Sequence, residues 1–198
     1  MPSMPTAREI HSRLRAIDRA SDDSAEFHVL HDPVRNGEPS PDLVIVIHPG
    51  DLVEPGFDRG ALARQKGLAA ELAARSGQDF LVLHRNSCSQ FGTGRLPSVH
   101  PALKKALQDG WKRGVILHGD DLEAASAWIV SHMALDRRRE IFLGGAYGDA
   151  EDGCLAFVGK AIEAAAPGRI VLSAHIPCPG GDPWTPGSAL TEPGPCEP

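Results

Sequence analysis

Short, continuously apolar runs alternate along this chain with longer stretches whose apolar residues recur every three or four positions. The runs are Leu43–Ile47, Phe80–Leu83, Val115–Leu117, Ile141–Leu143 and Ile170–Ala174. An apolar run without polar interruption suits a strand buried on both faces. Phe27 to His31 reads as a further short strand, at an edge.

The intervening stretches predict helices. Gly60 to Ser76 is alanine-rich, with Leu68, Ala69 and Leu72 along one side and Gly77 as its stop. Pro101 to Asp109 carries proline in its first turn. A helix capped by Asp120 or Asp121 places Leu122, Ala125, Ile129 and Met133 on one face. Glu151 to Ala166 ends at Pro167-Gly168. This alternation predicts an α/β fold: a mostly parallel open sheet of about five to six strands with helices on both faces, a Rossmann-like three-layer sandwich.

Three regions follow. Residues 1–20 predict an amphipathic helix, with Thr6 and Glu9 as a capping box and Ile10, Leu14 and Ile17 at helical spacing. That helix either docks on the domain or binds a partner. Residues 21–176 form a single α/β domain, a size consistent with a 198-residue chain. Residues 177–198 hold seven prolines and four glycines in 22 positions and predict an extended or disordered tail, with Trp184 as its large apolar anchor.

Composition narrows the function classes. A net charge of −6 offers no global basic field for a nucleic-acid backbone. No apolar run approaches the roughly 20 residues that span a bilayer, and no secretory signal is visible. The four cysteines are scattered without a C-x-x-C pair, which favours reduced thiols and a cytoplasmic location.

Candidate chemistry gathers where the apolar runs end. His48-Pro-Gly-Asp51, His84-Arg85, His118-Gly-Asp120-Asp121, Gly144-Gly-Ala-Tyr147-Gly-Asp149 and His175 each follow one run. In a parallel sheet these ends share one edge, where ligands bind. His48 with Asp51 suits an acid–base pair, or a tight turn in which Asp51 binds backbone amides. His118 carries the same two readings, since Asp120 or Asp121 also suits an N-cap. Arg85 suits a carboxylate or phosphate clamp, or a salt bridge with a rim carboxylate.

Cys154 falls in the first turn of the last helix, where the macrodipole favours the thiolate, yet it shares a helical face with Val158 and Ala161 and also reads as packed core. Glycine-rich though it is, the 144–153 turn lacks the Gly-x-Gly-x-x-Gly dinucleotide spacing. His48, Asp51, His84, His118 and Asp120 or Asp121 suit a divalent metal chemically, but no His-x-His or His-Glu-x-x-His spacing supports one.

Two stretches resemble the isochorismatase-like cysteine hydrolases. Val44-Ile-Val-Ile-His-Pro-Gly-Asp-Leu-Val-Glu-Pro-Gly56 is similar to that family's first strand and loop, and Ile141-Phe-Leu-Gly-Gly-Ala-Tyr-Gly-Asp-Ala-Glu-Asp-Gly-Cys154 to its nucleophile segment. The resemblance implies a parallel α/β sandwich and a cysteine nucleophile at Cys154. The family's aspartate and lysine are not matched: His48 and His118 stand in their places.

The leading expectation is therefore a divergent hydrolase acting on a small-molecule amide or related carbonyl, without metal or other cofactor. Cys154, His48, Asp51 and His118 are its catalytic set, and His84, Arg85, Tyr147 and Asp120 line the substrate. Amides from Tyr147 to Gly153 would hold the oxyanion. The alternatives are a non-catalytic interaction protein, with a protein partner or a second copy, and a metal-dependent hydrolase.

Overall fold

The computed structural model describes residues 28–31, 38–49, 60–84, 100–119, 121–178 and 181–187. The elements are β1 (His28–His31), β2 (Asp42–Ile47), α1 (Ala61–Ala74), β3 (Asp79–His84), α2 (Pro101–Trp111) and β4 (Gly114–His118). They continue with α3 (Leu122–His132), a 3-10 turn (Leu135–Arg137), β5 (Glu140–Gly145), α4 (Cys154–Ala165) and β6 (Ile170–Leu172). The six strands form one sheet in the order β1-β4-β3-β2-β5-β6, with β2 through β6 parallel and β1 antiparallel to β4 at the edge. The expected Rossmann-like α/β architecture is thus observed.

Burial explains the unbroken apolar runs. Every residue of β2 from Leu43 to Ile47 is fully shielded from solvent. Leu43, Ile45, Ile47, Leu81, Leu83, Val115 and Leu117 pack with α3 and α4, while Val44, Val46, Phe80 and Val82 pack with α1 and α2. The chain moves outward from β2 through β3 to β4, then crosses to β5 and β6 on the other side. Such a reversal leaves a crevice between the carboxyl ends of β2 and β5.

Helix ends follow local chemistry. Asp121 caps α3, its Oδ1 accepting from the Ala124 amide at 2.8 Å, and His100 caps α2 through Nδ1 from the Ala102 amide at 3.1 Å. Helix α4 begins at Cys154, three residues later than the apolar pattern predicts, because residues 149–152 form a turn.

The tail departs from expectation. The Ala150 amide donates to the Asp182 carbonyl at 2.9 Å, and the Trp184 amide donates to the Gly148 carbonyl at 2.8 Å. Asp149 and Pro183 form a β-bridge. The Trp184 indole is 5% exposed and lies so close to Gly159 that a Cβ there would come within 2.3 Å of its ring. Residues 181–187 are therefore a strap across the 148–150 turn. One large apolar side chain, given a glycine to rest on, offsets the low burial of its proline-rich neighbours. The predicted helix at 1–20 lies outside the described residues, as do 188–198 at the end of the tail.

Candidate functional site at the carboxyl edge

Parallel pairing brings three of the predicted histidines onto adjacent strand ends. Ile47 aligns with Leu83, and His84 aligns with His118. His48 extends this row by one position beyond β2: its amide donates to the Leu83 carbonyl at 2.7 Å. On the outer side, the backbone of His28 in β1 is in register with His118. Three of the four expected strand-end histidines, His48, His84 and His118, therefore share one row.

The edge also stores backbone strain. His48 has φ +43° and Tyr147 has φ +59°, both left-handed values unusual for side chains of this size. Gly145, at φ +129°, lets the backbone turn out of β5, and a Cβ there would lie 1.9 Å from the Ile47 carbonyl oxygen. The Ala146 amide then donates to that same oxygen at 2.9 Å. His48 and Tyr147 thus stand on the two lips of the crevice between β2 and β5. The His48 side chain is buried, and the Tyr147 hydroxyl oxygen is shielded from solvent.

The residues proposed as one catalytic set divide into two groups. His84 and His118 follow Val82 and Ile116 by two positions, and Val82 packs against α1 and α2, so strand alternation assigns both histidines to that face. Their Nδ1 atoms are 3.3 Å apart, with ring centroids 5.5 Å apart and planes inclined by 23°. Cys154 opens α4 on the opposite face, packed against the cluster that includes Leu155, Val158 and Ile162. Three strand spacings separate β4 from β5, roughly 14 Å. His118 therefore does not belong with Cys154, a division hidden in the sequence because β3 and β4 are apolar on both faces.

The turn before Cys154 is largely committed to the protein itself. The Gly148 amide donates to the Pro177 carbonyl at 3.0 Å, Gly153 to Asp149 at 3.0 Å and Leu155 to Tyr147 at 3.1 Å. With Ala150 held by Asp182, these amides do not serve an oxyanion, contrary to expectation. Cys154 itself is half-buried at the first helical position, beyond a glycine cap with no capping side chain. Cys178 lies on the far side of this turn, its Sγ 3.1 Å from where a Cβ on Gly148 would stand. Burial pushes its thiol pKa above the usual 9.0, and the Asp149 carboxylate adds to the rise against an opposing hydrogen bond from Gly148.

His175 lies away from the row, its ring flat against Gly67 of α1. Its strand end is tied down by Glu71, which accepts from Ser173 Oγ at 2.5 Å and from the Ala174 amide at 3.1 Å. A groove of about 460 Å³ between α1 and α2 is lined by Lys66, Ala69, Ala73, Ala106 and Arg113 among others, and by none of the candidate residues. Asp51, Arg85 and Asp120 lie outside the described residues. No helix among the described residues is long and apolar enough to cross a membrane.

No protein-family model, curated protein or solved structure matches this chain.

Proposed function

We propose that this protein is a divergent hydrolase that cleaves a small-molecule amide or related carbonyl in the crevice between β2 and β5. Cys154 is the nucleophile, and His48, at the end of β2 on one lip of the crevice, is the imidazole that manages the proton. The position of Cys154 carries this reading: it stands in the first turn of α4, where the amide dipoles favour a thiolate, directly behind the turn that leaves β5. The strained residues His48 and Tyr147 on the crevice lips support it, since such backbone is retained mainly where function requires it.

In this scheme the Cys154 thiolate adds to the carbonyl carbon and the C–N bond breaks. Its amine leaves with a proton from the imidazolium, giving a thioester. Water, deprotonated by the neutral imidazole, then releases the acid and restores the thiol. Neither a metal nor an organic cofactor takes part.

Replacing Cys154 by Ala tests the proposal on a panel of small amides. Turnover is expected to fall by about a thousandfold or more, as when a nucleophile acting with its partners is removed. Unchanged turnover in Cys154→Ala eliminates the nucleophile and with it this function.

A further inference from the structure

Tyr147 keeps a left-handed backbone, φ +59°, which a bulky side chain adopts only where its surroundings over-determine it. Just before it, the Ala146 amide is fixed to the Ile47 carbonyl at 2.9 Å. Relaxing φ at Tyr147 would swing its own carbonyl and all of Gly148, and three hydrogen bonds hold those groups. The Leu155 amide donates to the Tyr147 carbonyl at 3.1 Å, and the Gly148 amide donates to the Pro177 carbonyl at 3.0 Å. The Trp184 amide donates to the Gly148 carbonyl at 2.8 Å.

We propose that Trp184 is a positioning residue for the crevice between β2 and β5. Seated on α4, it pins the strap that keeps Tyr147 left-handed on the β5 lip. Of residues 181–187, Trp184 is the one that is buried; Pro186 is half-buried and the others are exposed. The grip of the strap on the turn, through Gly148, Asp149 and Ala150, therefore depends on that one side chain. Its seat is Gly159, where a Cβ would stand 2.3 Å from the indole and 3.1 Å from Leu143 Cδ2. Gly159 belongs to the helix that Cys154 opens, so pin, turn and thiol share one support.

The consequence for catalysis rests on the hydrolase reading of the crevice, in which Tyr147 lines the substrate. The consequence for the Tyr147 backbone does not. Trp184 acts through Tyr147 and not on the reacting atoms, so its loss should weaken substrate binding more than it slows the chemical step.

Tyr147 is the chain's one tyrosine, so labelling the full chain with isotopic tyrosine gives one set of backbone signals by NMR. Its Cα and Cβ shifts should report a left-handed residue in the unmutated protein and in Trp184→Phe, which keeps an aromatic ring in the seat. In Trp184→Ala they should move toward extended values. Gly159→Ala should do the same by unseating the indole. Alanine favours a helix interior over glycine, so that change does not act by weakening α4.

On an amide substrate, Trp184→Ala should raise KM about tenfold while kcat falls less than about threefold. The double variant Trp184→Ala/Tyr147→Ala should be no worse than Tyr147→Ala alone, because both remove the same contact. Tyrosine signals that stay left-handed in both Trp184→Ala and Gly159→Ala, or losses that multiply in the double variant, would overturn the role of Trp184. Absence of turnover in the unmutated protein strikes the hydrolase reading instead, and the tyrosine spectra then decide the proposal.

Discussion

The two edges of the sheet are built from opposite materials. At the amino edge, charge is matched with charge. The buried Arg138 guanidinium pairs with Asp79 at the start of β3 and donates to the Ser40 carbonyl at 2.6 Å and the Met133 carbonyl at 2.9 Å. Arg139 grips Asp42 at the start of β2 through two hydrogen bonds of 2.6 and 3.1 Å. Arg169 reaches the Asp136 carbonyl, also at 2.6 Å. At the carboxyl edge there are imidazoles, two left-handed non-glycine residues and a half-buried thiol. One edge spends its polar groups on holding the fold, and the other keeps titratable groups near a crevice. That contrast is the pattern expected when a scaffold positions a site on its opposite rim.

The contrast can be broken most severely at Arg138. Arg138→Ala leaves Asp79 without its counter-charge in a largely dry setting, and should cost about 3–5 kcal/mol in chemical denaturation. If the amino edge is purely structural, any activity retained at low temperature should keep its KM. A loss below about 1 kcal/mol would mean that Asp79 is solvated by other means and that the edges differ less than they look.

Trp184 probes the link between the strap and the carboxyl edge. Trp184→Ala removes the side chain lodged against Gly159 and should destabilise by about 3 kcal/mol. Because the strap backbone holds Gly148 and Ala150, the same change should speed hydrogen exchange in residues 147–153 more than in β2 or β3. Uniformly faster exchange would show that the strap supports the whole domain rather than this turn.

The smallest effect lies at the Cys178 thiol, beside the turn at the carboxyl edge. Cys178 has a raised pKa, so its alkylation rate should climb with a midpoint above pH 9.0. The sign for stability follows. The folded state holds the Cys178 proton more tightly than the unfolded chain, so this contribution is complete below pH 9.0 and lost as pH rises through the higher folded value. Peptide mapping after timed alkylation with iodoacetamide reads this rate, and a midpoint at or below pH 9.0 would mean that burial and Asp149 do not hold the Cys178 proton.

Much of the scaffold was legible because its signals are local. The runs at Leu43–Ile47 and Ile141–Leu143 announce doubly buried strands, Pro101 marks a helix start and Asp121 is the N-cap it resembles. The histidines at strand ends were legible as a list. Their grouping was not, since Leu83 and Val82 are equally apolar and nothing in the residues says which of them faces α3 and α4. The strap was visible only as one tryptophan among prolines, because its partner Gly159 lies in a helix where a glycine ordinarily marks weakness.

The linear order of residues was enough to establish element type, the α/β class and the fact that imidazoles follow strands, all of which depend on near neighbours along the chain. Tertiary pairing alone decided that His84 meets His118, that Cys154 stands on the other face and that Trp184 closes over α4. Each of these is a contact between segments whose separate sequences are satisfied by more than one register or face, so only packing selects among them.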